Sequence, residues 1–173
     1  MQVPEITIVN SNFRGSFKRS YYLEDVAACI ANSRLCTHPR QLIIKDEECT
    51  ILLFPSGKFR VMGCCDEMEA ALLLYKYAAY FTYELPETSL QSMSFKIDFK
   101  TPVNLYKLSN LVRSRLELEL FSGLMIDHYL PVSVNVFANG KMMVMGVRDK
   151  DIIHKIVSEL APLLPHCTYT QSL

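Results

Sequence analysis

The feature that most restricts how this chain can fold is a pattern it writes twice. Ile51-Leu-Leu-Phe-Pro-Ser-Gly-Lys-Phe-Arg-Val-Met-Gly63 returns as Val134-Asn-Val-Phe-Ala-Asn-Gly-Lys-Met-Met-Val-Met-Gly146. Phe54 and Phe137, Lys58 and Lys141, and Gly63 and Gly146 are each 83 positions apart, a constant offset that marks an internal duplication. Both copies read as β-hairpins: an apolar run ends in Phe, a short turn ends in Gly-Lys, and a second alternating strand closes on Met-Gly. Ser56-Gly57 and Asn139-Gly140 supply the positive φ that such a turn needs. One architecture must therefore serve both halves, and the expected repeats are residues 1–88 and 89–173.

The remaining segments repeat in the same order. Ile6-Thr-Ile-Val9 alternates as a strand, and Leu23, Val26, Ala27 and Ile30 outline one face of a helix. Leu42-Ile-Ile-Lys45 and Cys49-Thr-Ile-Leu-Leu-Phe54 predict two strands joined at Asp46-Glu47-Glu48. Asp66 and Glu69 have capping-box spacing, so a long helix starts there and runs toward Pro86. Apolar nearly all round, it is expected to pack on a sheet along most of its length, with Tyr75, Tyr77, Tyr80 and Tyr83 packing and their hydroxyls at the rim. In the second half, Phe95–Phe99 reads as a strand. Leu105, Leu108, Leu111, Val112 and Leu116 outline a helix, Phe121–Ile126 and Val132–Phe137 precede the hairpin, and Ile152, Ile153, Ile156, Val157 and Leu160 stripe a last helix reaching Pro162. Each half is strand, helix, several antiparallel strands, helix: an α+β architecture with one sheet face covered by helices and the other bare.

Composition narrows the function. The chain has 173 residues, half of them hydrophobic, and can bury a core. Eighteen basic and eighteen acidic residues cancel, so no global positive field advertises a nucleic-acid partner. The six cysteines form no Cys-x-x-Cys pair and no zinc-finger spacing, and no signal peptide is evident, which predicts a reducing, intracellular setting. No apolar run is long enough for a membrane span, and no membrane partner is expected. Cys64-Cys65 with His38, His128, His154 and His166 offers no base and orienting group converging on a thiol. No catalytic residue, metal or cofactor is expected, and the chain does not read as an enzyme.

Glu117-Leu-Glu-Leu-Phe-Ser-Gly-Leu124 is similar to the Glu-Pro-Glu-Leu-Phe-Pro-Gly-Leu stirrup of the TATA-box-binding protein (TBP) family. Phe54-Pro-Ser-Gly-Lys58 resembles its Phe-x-Ser-Gly-Lys hairpin, and Phe137-Ala-Asn-Gly-Lys141 differs only by Asn for Ser. Gln91, Asp98, Lys100, Pro102 and Leu105 fit the start of its second repeat, and Leu160-Ala-Pro-Leu-Leu164 its closing segment. The resemblance spans essentially the whole chain. It implies a saddle of two pseudo-symmetric repeats forming one curved antiparallel sheet, with helices on the convex face.

The resemblance also implies a function. In the family, apolar wedges pry open AT-rich DNA while the sheet lies in the minor groove. The matching wedge positions are Leu42 and Phe54, then Phe121 and Phe137. On the sheet, Leu52, Arg60 and Met62 correspond to Asn135, Met143 and Met145, while Ser92 and Ser94 occupy the second repeat's first strand. In the first repeat one register places Asn12 and Arg14 there and another aligns Val9-Asn10 with an insertion; the first preserves helix spacing. Lys58, Lys141 and Arg148 keep phosphate-contacting positions, whereas family cations fall at Gln41, Cys65 and Asp127, which implies a shallower salt dependence. Glu117, Glu119 and Leu120 match the stirrup where the family docks transcription factor IIB (TFIIB). The first half spans 12 positions from Leu42 to Phe54 against 16 from Phe121 to Phe137, which argues against a TFIIA-like contact.

The implied activity is transcription initiation: binding and bending double-stranded, AT-rich promoter DNA and recruiting a TFIIB-like factor and the RNA polymerase machinery. The setting would be the nucleus, or the site of viral transcription. The zero net charge, Ser92, Ser94, Asn135 and the missing cations favour an alternative, a protein-interaction module of the same fold that has lost DNA binding and sequesters general transcription factors.

Overall fold

The computed structural model describes residues 3–81 and 86–169. Tyr83 lies outside them. Contacts divide the chain into a unit spanning Val9–Ser92 and a second unit formed by Met93 onward together with the residues preceding Val9. The boundary falls four residues beyond the one expected from the repeat, and the start of the first strand sits with the second unit.

The N-terminal unit contains β1 (Glu5–Ser16), α1 (Leu23–Cys29), β2 (Ser33–Thr37), β3 (Arg40–Asp46), β4 (Cys49–Leu53), β5 (Lys58–Cys64) and α2 (Glu67–Phe81). Its strands lie in the order β2-β3-β4-β5-β1 and are antiparallel. The C-terminal unit contains β6 (Thr88–Asp98), α3 (Leu105–Ser109), β7 (Ser114–Leu116), β8 (Gly123–Ile126), β9 (Ser133–Phe137), β10 (Lys141–Val147) and α4 (Asp151–Leu160), ordered β6-β10-β9-β8-β7. Since β1 begins in one unit and β6 in the other, each strand contributes to both.

Strand alternation decides what each sheet buries. In the N-terminal unit Phe13, Leu42, Ile44, Ile51, Leu53, Phe59 and Val61 point to one side and pack with Leu23 and Val26 of α1 and Leu73, Leu74 and Tyr77 of α2. In the C-terminal unit Phe95, Ile97, Leu124, Val134, Val136, Met142 and Val144 meet Leu105, Leu108, Ile153, Ile156 and Leu160. The opposite faces carry the alternate residues and, among the described residues, no helix.

The hairpin turns follow the duplication down to single hydrogen bonds. Gly57 N–H donates to Phe54 O at 2.9 Å, and Gly140 N–H to Phe137 O at 3.0 Å. Their φ values are +79° and +81°, the left-handed residue of a three-residue hairpin loop. The chain leaving β1 then clasps the turn, with Phe17 N–H donating to Gly57 O and Tyr21 N–H to Pro55 O. The chain leaving β6 makes the same pair, Phe99 to Gly140 and Val103 to Ala138.

Helix expectations hold in outline and fail in detail. Asp66 Oδ1 accepts from Glu69 N–H, while Glu69 Oε2 reaches back to Cys65 N–H, a capping box displaced by one residue. Yet α2 does not bury most of its surface: Met68, Leu72 and Tyr75 are exposed. Of its tyrosines only Tyr77 packs, its hydroxyl accepting from Asn32 Nδ2; Tyr75 and Tyr80 face outward. α3 stops at Ser109, and Leu116 belongs to β7, because alternation in Ser114-Arg-Leu116 at the sheet edge outweighs its helical spacing. Pro162 lies beyond the end of α4. β2 and β7, short polar edge strands, carry too little apolar pattern to be read from sequence.

A methyl group on Gly140 would sit 2.1 Å from Thr101 O. Gly140→Ala should therefore cost more than the roughly 1–2 kcal/mol of a left-handed residue alone. Urea unfolding measures it, and an unshifted midpoint would show that the clasp does not constrain the turn.

Candidate nucleic-acid interface

Cross-strand pairing turns each bare face into rows. In the N-terminal unit one row runs Arg34, Ile43, Leu52, Arg60, Arg14 across β2, β3, β4, β5 and β1. The next runs Lys45, Thr50, Met62, Asn12, where Asn12 Nδ2 donates to Ser92 Oγ at 3.1 Å. Lys58 stands opposite Ser16 toward the hairpin end. An open groove of about 770 Å³ lies here, lined among others by Arg14, Phe54, Lys58 and Arg60. Gly15 backs it: a side chain there would meet Phe59 Cζ at 2.4 Å and Glu87 O at 2.6 Å.

The C-terminal unit builds the equivalent rows from other chemistry. Arg115, Met125, Asn135, Met143 and Lys96 form one, and Arg115 is tied to Asp127 by a two-pronged ion pair. Ser133, Met145 and Ser94 form the next. Asn135 is only 8% exposed, and its Oδ1 is buried without a partner among the described residues. At the end of this face Phe121 and Phe137 meet edge to face, their centroids 5.7 Å apart, over Gly123, whose hydrogen leaves room that a methyl would take from both rings. Arg148, beyond β10, is exposed.

The fold and sequence comparisons bear on what these faces are. Residues 87–167 match the family described as transcription factor TFIID (or TATA-binding protein, TBP). The TATA-box-binding protein of Methanococcus aeolicus is 29% identical over 85% of this chain and 87% of its own length. The rat TATA box-binding protein-like 2 is 31% identical over 70% of this chain, but this chain spans only 38% of it. Methanococcus jannaschii TBP superposes with a TM-score of 0.82 at 24% identity, covering 94% of this chain and 99% of its own. The chain belongs to the TATA-box-binding protein family. It is a TBP-like transcription factor with the TBP fold.

Strand register then corrects two TBP-derived assignments. Leu42 was expected as a wedge, but it is fully buried opposite Leu53, under the helices. Its counterpart in the other repeat is Leu124, also fully buried and paired with Val136. Continuing the ladder aligns Gln41 with Gly123 and Pro39 with Phe121. Pro39, exposed in the two-residue turn between β2 and β3, therefore stands where the second repeat has its Phe. With Pro39 as the reference, the two repeats span 15 and 16 positions to their hairpin Phe, and that one-residue difference lies at the tip between β3 and β4, where Ile44 pairs with Ile51 but Ile126 with Val134. Likewise Asn12 and Arg14 do face the open side, opposite Met62 and Arg60, but internal pairing matches Asn12 to Ser94 and Arg14 to Lys96. Asn10 then matches Ser92; its Oδ1 accepts from Gly63 N–H.

Sequence reasoning missed Pro39, Met125 and Lys96. Alternation with Ser92 and Ser94 was the available signal for Lys96; for Pro39 the signal was apolar character next to a turn, masked by the more wedge-like Leu42. The stirrup residues Glu117 and Glu119 are exposed, and Leu120 projects at 82% exposure, held by Leu120 and Phe121 N–H bonds to Glu117 O. Away from these faces, the Sγ atoms of Cys49 and Cys64 lie 3.1 Å apart with Glu69 beside them. Burial pushes both thiols up, Cys64 far above the usual range, so they stay protonated and unreactive at neutral pH.

Truncating Leu42 to Ala should cost about 2–5 kcal/mol, as for a buried leucine, whereas a leucine exposed as a wedge would cost no more than about 0.5 kcal/mol. Denaturant titration of the variant measures it; the smaller effect would sink the corrected register.

Proposed function

We propose that the bare faces bind the minor groove of AT-rich promoter DNA and bend it. The observation that carries this reading is the matched placement of an apolar pair at the same ladder position of each unit: Pro39 with Phe54, and Phe121 with Phe137. Proline and phenylalanine both serve as intercalating wedges, and unstacking a base step costs a few kcal/mol that the newly contacted protein surface offsets. Between the wedges, Leu52, Met62, Met143 and Met145 provide flexible apolar floor, with Asn12, Ser92, Ser94 and Asn135 as small polar groups. Lys58, Lys141 and Arg148 supply phosphate contacts. Glu117, Glu119 and Leu120 form the docking element for a TFIIB-like factor, through which an RNA polymerase is recruited. In a nucleated cell this places the protein in the nucleus.

A second reading has its own support. Met68, Leu72 and Tyr75 form an exposed stripe on α2, and Asp127, where the family has a cation, neutralises Arg115. Both suit a protein-interaction module that binds general transcription factors without DNA.

End-labelled short AT-rich and GC-rich duplexes, followed by energy transfer over a salt series, separate the two. An AT-preferring bend that Phe54→Ala with Phe137→Ala abolishes is the expected result; no bend even at low salt would leave the interaction-module reading standing. Glu117→Ala with Glu119→Ala should weaken capture of a TFIIB-like protein at least about ten-fold, given two charge-assisted contacts. Unchanged capture would remove the stirrup from the interface.

A further inference from the structure

Arg14 and Arg60 sit directly opposite one another on β1 and β5, both exposed on the bare face of the N-terminal unit. Like charges in that relation destabilise a sheet. Among the described residues neither joins an ion pair. The free protein thus maintains two guanidiniums outside any ion pair in one open groove, whose lining also includes Lys58 and Glu87. The matched positions of the C-terminal unit are Lys96 and Met143, so the arrangement belongs to one unit only.

Guanidinium offers hydrogen-bond donors and no acceptor. In the minor groove an A·T pair shows only the acceptors N3 and O2, while a G·C pair adds the guanine 2-amino donor. Resting on the proposal that this face lies in the minor groove, we infer that Arg14 and Arg60 read base-edge acceptors beneath the N-terminal unit and exclude guanine through its 2-amino group. A donor facing a donor leaves both unpaired in a desolvated contact, whereas a donor facing N3 or O2 gains a charge-assisted bond. The C-terminal row has Lys96 and Met143 at the matched positions, one flexible ammonium in place of two facing guanidiniums, and tolerates G·C better. The two halves of a bound site are therefore unequal, and a duplex that is A·T in one half and G·C in the other is held in one orientation.

The test uses the full chain and three otherwise matched duplexes, A·T, I·C and G·C, with affinity read by fluorescence anisotropy over a salt series. Inosine lacks the 2-amino group, so I·C presents an A·T-like minor groove. Wild type should bind I·C nearly as well as A·T and G·C at least about ten-fold more weakly. Arg14→Met with Arg60→Met, the residue the chain itself uses at Met143, should lower the I·C over G·C preference by about ten-fold or more. Its salt slope should change by less than one. Its unfolding midpoint should not fall, since a repulsion is removed. If it does fall, Arg14→Lys with Arg60→Lys keeps charge and stem, loses the planar fork, and should still lower the preference. An unchanged I·C over G·C ratio overturns the inference. So does a salt slope reduced by roughly two, which assigns both arginines to phosphates. Wild type binding none of the duplexes at low salt instead overturns the DNA reading on which the inference rests.

Discussion

Each half of this protein depends on a glycine that no other residue can replace without moving backbone. At Gly57 and Gly140 the chain turns left-handed, and a carbonyl from the segment leaving the neighbouring strand occupies the space where a side chain would be: Arg19 O at 1.8 Å and Thr101 O at 2.1 Å from the Cβ position. The turn is thus closed from both sides, by its own hairpin and by the chain after β1 or β6. That double closure fixes the register of β5 and β10 against their neighbours. In a sheet with one buried face, register is what decides which side chains are available for chemistry, because a slip of one residue exchanges the two faces.

How legible this was follows from the same periodicity. The hairpins, both central helices and the bare face were readable, since alternation and the 83-residue offset carry the information locally. Arg60, Met62, Met143 and Met145 came out on the open side because they lie next to the turn that sets the register. Leu42 did not, since its placement depends on pairing with Leu53 across a hairpin tip whose length differs between repeats. Counting from the family motif, rather than from the ladder, shifts it to the wrong position. The exposed stripe of α2 was illegible for another reason: a helix apolar on all sides does not announce which side has a partner. Tyr77 is distinguished from Tyr75 only by where Asn32 and the sheet lie.

Zero net charge proves a weak guide once the faces are known. The N-terminal row contains Arg34, Arg60 and Arg14, while carboxylates are drawn elsewhere: Asp46 to Lys76 and Glu24 to Arg40. Among the described residues Arg14 and Arg60 of the N-terminal face are left outside these ion pairs, with Glu87 the one carboxylate lining their groove. A local field of that kind focuses an anionic partner even when the molecule as a whole is neutral.

The departures from the family pattern differ in kind between the two units. The N-terminal unit has Pro39 and Gln41 where the C-terminal unit has Phe121 and Gly123, and Arg14 with Arg60 where it has Lys96 and Met143. The C-terminal unit keeps its Phe pair and its acidic stirrup, and trades an apolar floor residue for Asn135. Duplication starts with two equivalent halves, and equivalent halves cannot give a bound site a direction. Two facing arginines in one row, against Lys96 and Met143 at the matched positions of the other, break that equivalence on the open faces. On the proposed DNA-binding reading, the apolar pairs open the groove and the unequal rows set the direction in which the protein lies along it.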